Sequence, residues 1–293
     1  MKKAVDRKPY VAGIFYPSDR AALVNEIESL FRSKLGPGEI PSISVEGPRN
    51  ILGLISPHAG YTYSGAIAAH GYYHLALDGL PETIILIGPN HTGLGSAISV
   101  YPSGKWYTPL GEVYVNEELV DMIVEASPLL DADTLAHKYE HSIEVQIPFL
   151  QYIYGKVNKT FKIIPIVMMY QSWAGVEALG EALVKVLKGL NKAEYLLVAS
   201  TDYSHYVPAY VAKKKDSLTF PLIEELNASR LIETVYSEDI SMCGYGPVAT
   251  LLYVASKLGA CKGILLKYAN SGDVTGDYTS VVGYASFKII WQC

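Results

Sequence analysis

Three apolar stretches of the chain end in the same way, each followed within a few residues by a polar side chain. The stretches are residues 51–56, 84–88 and 195–200, and the side chains that follow them are His58, His91, Asp202 and His205. Apolar runs of roughly four to eight residues, bounded by turn residues, predict strands buried in a sheet. In an open α/β sheet, ligands bind where the carboxyl ends of the strands meet. The pattern therefore predicts that these four side chains converge on one crevice.

Helical and extended patterns alternate through the rest of the chain. Apolar residues recur at helical spacing in residues 18–31 (with Ser18 as the N-cap), 66–77, 117–125, 142–153, 174–187, 210–236 (with a break at Pro221) and 247–258. Further strands are predicted at 161–169, 263–268 and 281–290, and Pro165 suggests that the first lies near an edge. No linker interrupts the pattern. It predicts one three-layer α/β domain over residues 1–293, with a mostly parallel central sheet.

Composition and charge exclude several classes of protein. Hydrophobic residues make up 49% of the 293 residues, which is ordinary for a globular protein. A net charge of −5 gives no long-range attraction to a phosphate backbone, so nucleic acid is not an expected partner. No apolar run is long enough to span a bilayer, and the first residues lack an apolar signal core. We therefore expect no membrane contact and a cytoplasmic location.

Three cysteines, Cys243, Cys261 and Cys293, stand at irregular spacing. The odd number argues against a disulfide framework and favours a reducing compartment. Cys261 fits the role of a small buried hydrophobic residue. Cys243 comes shortly before Pro247, a residue suited to the first turn of a helix. A thiol near a helix N-terminus has a lowered pKa and can act as a thiolate ligand or nucleophile.

Most histidines in apolar surroundings serve packing or capping, so position must distinguish among the seven in this chain. His70 and His74 have the spacing of neighbours on one helical face, but no acidic partner accompanies them, so helix packing is the better interpretation. The sequence around His137 does not indicate a function for this residue. His58, His91 and His205 differ because each follows a predicted strand.

Two imidazoles and a thiolate form a borderline-soft donor set that suits zinc, copper or iron(II). Three protein ligands leave coordination positions open, as in catalytic rather than structural sites. Asp202 stands three residues before His205 and could orient its imidazole through a hydrogen bond. Alternatively, the run from Asp202 to His205 is a capped turn that closes a strand. A serine hydrolase has little support, because the chain has no Gly-x-Ser-x-Gly elbow.

Short motifs along nearly the whole chain resemble the Memo-like family in residues and in order. They are Val11-Ala-Gly-Ile-Phe-Tyr-Pro17, Ser56-Pro-His-Ala-Gly-Tyr61, Gly88-Pro-Asn-His91, Glu140-His-Ser-Ile-Glu-Val-Gln146, Asp202-Tyr-Ser-His205, Met242-Cys-Gly244 and Asn270-Ser-Gly-Asp273. That family resembles the class III extradiol dioxygenases of the LigB type, which hold non-haem iron(II) on two histidines and a glutamate and use a further histidine as acid and base. The resemblance implies the same α/β fold.

Carried over motif by motif, the resemblance implies that His58, His91 and Cys243 hold a divalent metal ion, with iron(II) preferred and copper or zinc as alternatives. It also implies that His205, supported by Asp202, transfers protons. Cys243 stands where the dioxygenases have a carboxylate, so dioxygenase activity does not follow from the resemblance alone. A radical-SAM protein is the implied partner, because the prokaryotic branch resembles protein B of the AmmeMemoRadiSam system.

The leading hypothesis is a metal-binding, redox-active protein with a non-haem dioxygenase-like site and an unidentified substrate. Two other functions stay open. Metal-assisted hydrolysis would use the metal to lower the pKa of water and His205 as the base. A non-enzymatic module would bind a small molecule or a peptide in the same crevice through its tyrosines, with the histidines in structural roles.

Overall fold

The computed structural model describes residues 5–293, and residues 1–4 of the predicted domain lie outside the described residues. Within that range the strands are β1 (Ile51–Ser56), β2 (Thr83–Pro89), β3 (Ile98–Val100), β4 (Lys105–Thr108), β5 (Gly111–Val115), β6 (Asp131–Ala132), β7 (Lys162–Met168), β8 (Tyr195–Ser200), β9 (His205–Val207), β10 (Lys262–Asn270) and β11 (Val281–Ile290). The helices are α1 (Arg20–Arg32), α2 (Ala66–Asp78), α3 (Glu117–Glu125), α4 (Ile147–Lys156), α5 (Trp173–Leu187), α6 (Ala209–Asp216), α7 (Phe220–Glu224), α8 (Ala228–Ser237), α9 (Tyr245–Leu258) and α10 (Gly272–Thr275). A π-helical turn, Tyr61–Gly65, precedes α2, and a 3₁₀ turn, Glu144–Gln146, precedes α4.

The strands form one mixed sheet whose centre is parallel. Its main order is β10-β11-β1-β8-β2-β7-β3-β6, while β5 pairs with β4 and β7, and β9 pairs with β11. The four central strands, β1, β8, β2 and β7, run parallel to one another, and antiparallel pairs lie outside them. Every residue of β1, β2 and β8 is buried, as expected for strands covered on both faces. The predicted α/β domain with a mostly parallel central sheet is confirmed.

Helices cover both faces of this sheet. Gly53 in β1 lies against Leu251 of α9, and the next residue, Leu54, lies against Gly71 of α2. Successive side chains of a strand point to opposite faces, so α9 and α2 belong to opposite layers. α1 and α4 pack with α2, and α5 and α8 pack with α9. Among residues 5–293, no helix has the length and apolar character needed to cross a membrane.

Two local predictions are wrong. Asp19, not Ser18, is the N-cap of α1, and its side chain accepts the N–H of Ala22 at 2.8 Å. Pro165 lies in the interior strand β7 rather than near an edge. β7 accommodates the proline because two short strands pair with it on the side opposite β2: β5 with residues 162–163 and β3 with residues 166–168. The missing N–H of Pro165 falls between these two short partners, while its carbonyl accepts the N–H of Tyr101 at 2.9 Å.

The prediction of free cysteines is wrong for two of the three. Cys261 and Cys293 form a disulfide with Cα atoms 5.9 Å apart, and Cys243 is free. Because β10 and β11 are antiparallel neighbours, the residue before β10 meets the end of the chain that follows β11. The backbone N–H of Cys261 donates to the carbonyl of Ile290 at 2.8 Å. The cysteines of this chain therefore do not indicate a reducing compartment.

Candidate metal centre

The carboxyl ends of three adjacent strands meet at one edge of the sheet. β1, β8 and β2 are neighbours, and His58, Asp202 and His91 each stand two residues beyond the last residue of their strand. Parallel strands end at the same edge, so equal spacing in the sequence becomes proximity in space. The predicted convergence is confirmed, because these three residues and His205 line a single cleft.

A third histidine, His141, joins the cluster, and the sequence prediction did not include it. The donor atoms of His58, His91 and His141 all lie within 4.8 Å of one another. The His141 ring stacks on the His91 ring with centroids 4.7 Å apart. Its loop packs against the end of β2, where a Cβ at Gly88 would lie 2.4 Å from the Ser142 hydroxyl. The available signal was the motif from Glu140 to Gln146, because His141 itself follows no strand.

Glu140 is a buried carboxylate that orients the His91 ring. It accepts the Nδ1–H of His91 at 2.9 Å and the backbone N–H groups of His91 and His141 at 2.5 and 2.8 Å. Burial alone would raise the pKa of Glu140, but the hydrogen bond from His91, the charges of both histidines and the Ser142 N–H hold it at about 2. An ionised Glu140 keeps the His91 proton on Nδ1 and leaves Nε2 free. Carboxylates commonly orient metal-binding histidines in this way.

His58 is oriented by a relay of neutral groups instead. The Tyr72 hydroxyl donates to the Gln146 side-chain oxygen at 2.7 Å, so the Gln146 amide nitrogen is the end that donates to Ser200 Oγ, at 2.9 Å. The Ser200 hydroxyl gives its single proton to the Ser142 carbonyl at 2.6 Å. Ser200 Oγ lies 2.8 Å from Nδ1 of His58 and can only accept. This network assigns the His58 proton to Nδ1 and leaves Nε2 unprotonated, so that Nε2 can donate its lone pair.

The chemistry of these donors fits a metal ion. Burial lowers the pKa of His58 well below its usual range, and the charges of His91 and His141 add to the effect. Burial also lowers the pKa of His141 to about 4. Both imidazoles are therefore neutral at pH 7, the form that binds metals. His58 and His91 each have the second ring nitrogen tied to a protein group, as metal ligands usually do.

Cys243 lies beside this cluster and contacts one member of it. Its sulfur is 3.2 Å from Nε2 of His58 and accepts the N–H of Asp202 at 3.2 Å. The close approach requires Gly244, because a Cβ there would lie 2.3 Å from the Ser200 carbonyl oxygen. The predicted position before a helix is confirmed, but the lowered pKa is wrong: burial raises the pKa of the thiol, and the Asp202 charge raises it further. A ligand role for Cys243 stays a prediction.

Asp202 and His205 lie in the same cleft but have different hydrogen-bond partners from those expected. Asp202 accepts the backbone N–H of His58 at 2.8 Å. Nδ1 of His205 donates to the Ser241 carbonyl at 2.7 Å, and the Ser241 hydroxyl accepts the backbone N–H of His205. Burial raises the pKa of Asp202 to about 6, although the His58 N–H opposes the rise. Asp202 thus supports the His58 loop and Ser241 orients His205, while the predicted catalytic roles of both residues stay predictions.

The cleft has a volume of about 710 Å³. His58 is only 2% exposed and lies deep, whereas Tyr63, Tyr206 and residues 273–280, which include the end of α10, are exposed and lie toward the mouth. The other lining residues are aromatic, small or polar: Phe15, Ala59, Gly60, Tyr63, Tyr206, Ser271, Thr275, Asp277, Ser280, Val282 and Tyr284. The cluster is therefore accessible to a small molecule or to a side chain of a peptide.

The sequence model of the family described as "Memo-like protein" matches residues 7–288. The chain belongs to the Memo-like family. It is 47% identical to a MEMO1 family protein of Saccharolobus solfataricus over 283 residues, which cover 96% of this chain and 98% of that protein. MEMO1 family proteins of Sulfolobus acidocaldarius and Methanopyrus kandleri are 46% and 45% identical over 284 and 282 residues, with the same coverage. The family resemblance drawn from the motifs is confirmed.

Hydrogen bonds join the motif from Glu140 to Gln146, which contains His141, to the N-terminal segment. Glu144 is fully buried and accepts hydrogen bonds from the Arg7 guanidinium and the Tyr16 hydroxyl, both at 2.7 Å. Arg7 donates in turn to the carbonyl of Glu140 at 2.6 Å. Removing one partner of a buried ion pair leaves the other charge uncompensated. The N-terminal segment therefore holds the His141 loop in place.

Proposed function

We propose that this Memo-like protein binds a divalent metal ion through His58, His91 and His141 and uses it in catalysis on a small molecule or peptide in the cleft. The observation that carries the proposal is that three imidazole donors from three separate segments lie within 4.8 Å of one another. Packing explains a single buried histidine but gives no reason to gather three. The hydrogen bonds at Nδ1 of His58 and His91 support the same conclusion, because metal-binding histidines usually have the other ring nitrogen bonded to a protein group.

The donor set narrows the choice of metal. Imidazoles suit iron, copper and zinc better than magnesium or calcium. Non-haem iron(II) sites of oxygenases generally combine two histidines with a carboxylate, whereas this cluster consists of imidazoles with the Cys243 sulfur beside His58. Iron(II) stays the prediction from the resemblance, and the donors favour copper and zinc as strong alternatives.

The protein's own residues would bind the substrate and move protons. When bound, the metal would supply Lewis-acid or redox chemistry. His205 lines the same cleft, and its Nδ1–H is tied to the Ser241 carbonyl, so Nε2 is free to accept and return a proton. Asp202 fixes the backbone at His58 and so keeps that ring in place.

Metal-assisted hydrolysis is a second candidate, and the three-histidine donor set favours it. One group of catalytic zinc sites uses three histidines and leaves the fourth position for water or substrate. His205 would then act as a general base rather than as a proton carrier in a redox reaction. The two candidates share every residue and differ in the metal.

Metal analysis of protein purified without chelators tests the proposal. We expect stoichiometric metal in the wild type and in His74→Ala, a control histidine of α2 that lies outside the cluster, and no metal in His58→Ala. Iron or copper would support the redox function and zinc the hydrolytic one. Absence of metal under every loading condition would refute the proposal and leave a binding module.

A further inference from the structure

Tyr206 has an unfavourable backbone conformation at the wall of the cleft. Its φ of +56° lies in the left-handed region that favours glycine. His205 pairs with Val282 and Val207 pairs with Val281, so Tyr206 is the extra residue of a β-bulge. Its side chain is 78% exposed, so burial of the ring does not offset the strain. Strain that packing does not offset often marks a contact with a ligand.

The rest of the cleft wall combines aromatic rings with carboxylates. Phe15, Tyr63 and Tyr284 line it together with Tyr206, and Asp202 and Asp277 supply the acidic groups. The described lining residues include no lysine and no arginine. Aromatic faces and carboxylates both attract cations. Hydrogen bonds from Thr279 lower the pKa of Asp277, which is therefore ionised at neutral pH.

We propose that the cleft takes a ligand with a primary alkylammonium group, which Tyr206 and Asp277 contact near the mouth. This inference names the substrate class of the proposed site and rests on the proposed function in using the same cleft. Asp277 belongs to the exposed loop after β10, whereas His58 is almost fully buried. The ammonium group therefore stays apart from the positive charge of a metal, and the uncharged end of the ligand faces the imidazoles.

Three probes of equal chain length test the charge preference, namely n-hexylammonium, n-hexanol and hexanoate. Their affinities are measured by NMR titration with the metal-free and the metal-loaded protein. We expect hexylammonium to bind about 3- to 10-fold more tightly than hexanol, because an exposed cation–π contact and an exposed ion pair each contribute modestly. Hexanoate should bind most weakly to the metal-free protein.

Substitutions then locate the ammonium group. Asp277→Asn and Tyr206→Gly should each weaken hexylammonium binding roughly 2- to 5-fold and leave hexanol binding unchanged. Tyr206→Phe should keep the affinity, because the aromatic face remains. Tyr206→Gly should also leave the melting temperature unchanged or raise it, since glycine adopts the positive φ without strain. Asp131→Asn, at an exposed position in β6, is the matched control and should change nothing.

Equal affinities for the three probes, or tightest binding of hexanoate to the metal-free protein, would overturn the inference. Hexylammonium binding that depends on His58 but not on Asp277 or Tyr206 would overturn it too, because the cation would then lie at the imidazoles. The Asp277 and Tyr206 variants should keep the metal content of the wild type. A wild-type protein that binds no metal would refute the proposed function without changing the probe results.

Discussion

His91 and His58 follow neighbouring parallel strands at the same spacing, yet the groups that orient them differ in charge. The His91 side chain is one-third exposed and donates to the ionised Glu140. His58 is buried and donates to the neutral Ser200 hydroxyl. Position along a strand therefore determines where a ring lies, but residues far away in the chain determine its hydrogen bonding. Glu140 also places one negative charge beside the imidazole cluster, and this charge would favour a bound cation.

The largest effect on stability is expected at Arg7, which binds the loop that carries Glu140 and His141. Arg7→Ala should lower the free energy of unfolding by about 3 to 5 kcal/mol, because Glu144 would remain buried without its ion-pair partner. Urea denaturation measures the change. Arg230→Ala, at a side chain that is 65% exposed, is the control and should cost less than about 0.5 kcal/mol. A loss below about 1 kcal/mol for Arg7→Ala would show that Arg7 does not hold the His141 loop in place.

The charge difference between the two rings gives a prediction about metal affinity. Glu140→Gln should weaken metal binding roughly 10- to 100-fold, because a neutral amide orients and polarises His91 less than a carboxylate does. Ser200→Ala removes a neutral hydrogen bond and should cost only about 2- to 10-fold. Isothermal titration calorimetry compares the two variants. Equal losses would show that the charge at Glu140 has no special effect.

A buried histidine outside the cluster gives a prediction about pH. Burial, with the Arg7 charge, lowers the pKa of His137 to about 3, from an ordinary value of about 6.5. Below pH 6.5 the unfolded chain takes up this proton and the folded chain does not, so stability is lost as the pH falls. The loss from this residue is about 2 kcal/mol between pH 6.5 and pH 5.

His137→Gln isolates that contribution. Urea denaturation of metal-free protein at pH 6.5 and pH 5 should show a smaller loss of stability in the variant than in the wild type. The other buried histidines are common to both proteins and cancel in the comparison. An identical loss in both proteins would mean that His137 is protonated in the folded state.

The smallest expected effect on metal binding is that of His205. Because its ring lines the cleft and is tied to Ser241, His205→Ala should leave metal affinity within about 3-fold of the wild type. Any reaction found for the protein should slow by roughly 10² to 10⁴-fold, as for the loss of a general acid or base. Calorimetry and rate measurements on the same preparation check both parts. Strongly weakened metal binding would make His205 a ligand instead.

The sequence predicted the sheet and the convergence of His58, His91, Asp202 and His205 because these depend on local patterns. Apolar runs marked the strands, and parallel strands bring their ends to one edge. His141 was not predicted because it comes from a loop that reaches the site by packing against Gly88. The pairing of Cys261 with Cys293 also depends on tertiary structure, since it follows from the register of β10 and β11.

Hydrogen-bond partners were the least predictable feature of the site. Asp202 and His205 are close in sequence, and a bond between them was a reasonable expectation. The backbone after β8 instead turns the carboxylate toward the His58 N–H, and a residue 36 positions away, Ser241, binds His205. The Cys243 pKa was mispredicted for a related reason, because burial outweighs the favourable position before α9.

Calorimetric titration of two variants identifies the third metal ligand. Zinc, copper(II) or iron(II) is titrated into metal-free wild type, His141→Ala and Cys243→Ala, with circular dichroism to verify folding. We expect His141→Ala to weaken binding more than about 100-fold, whereas Cys243→Ala, which removes a group outside the three-imidazole cluster, should weaken it less than about 10-fold. The reverse order would refute the three-histidine site and assign the metal to His58, His91 and Cys243.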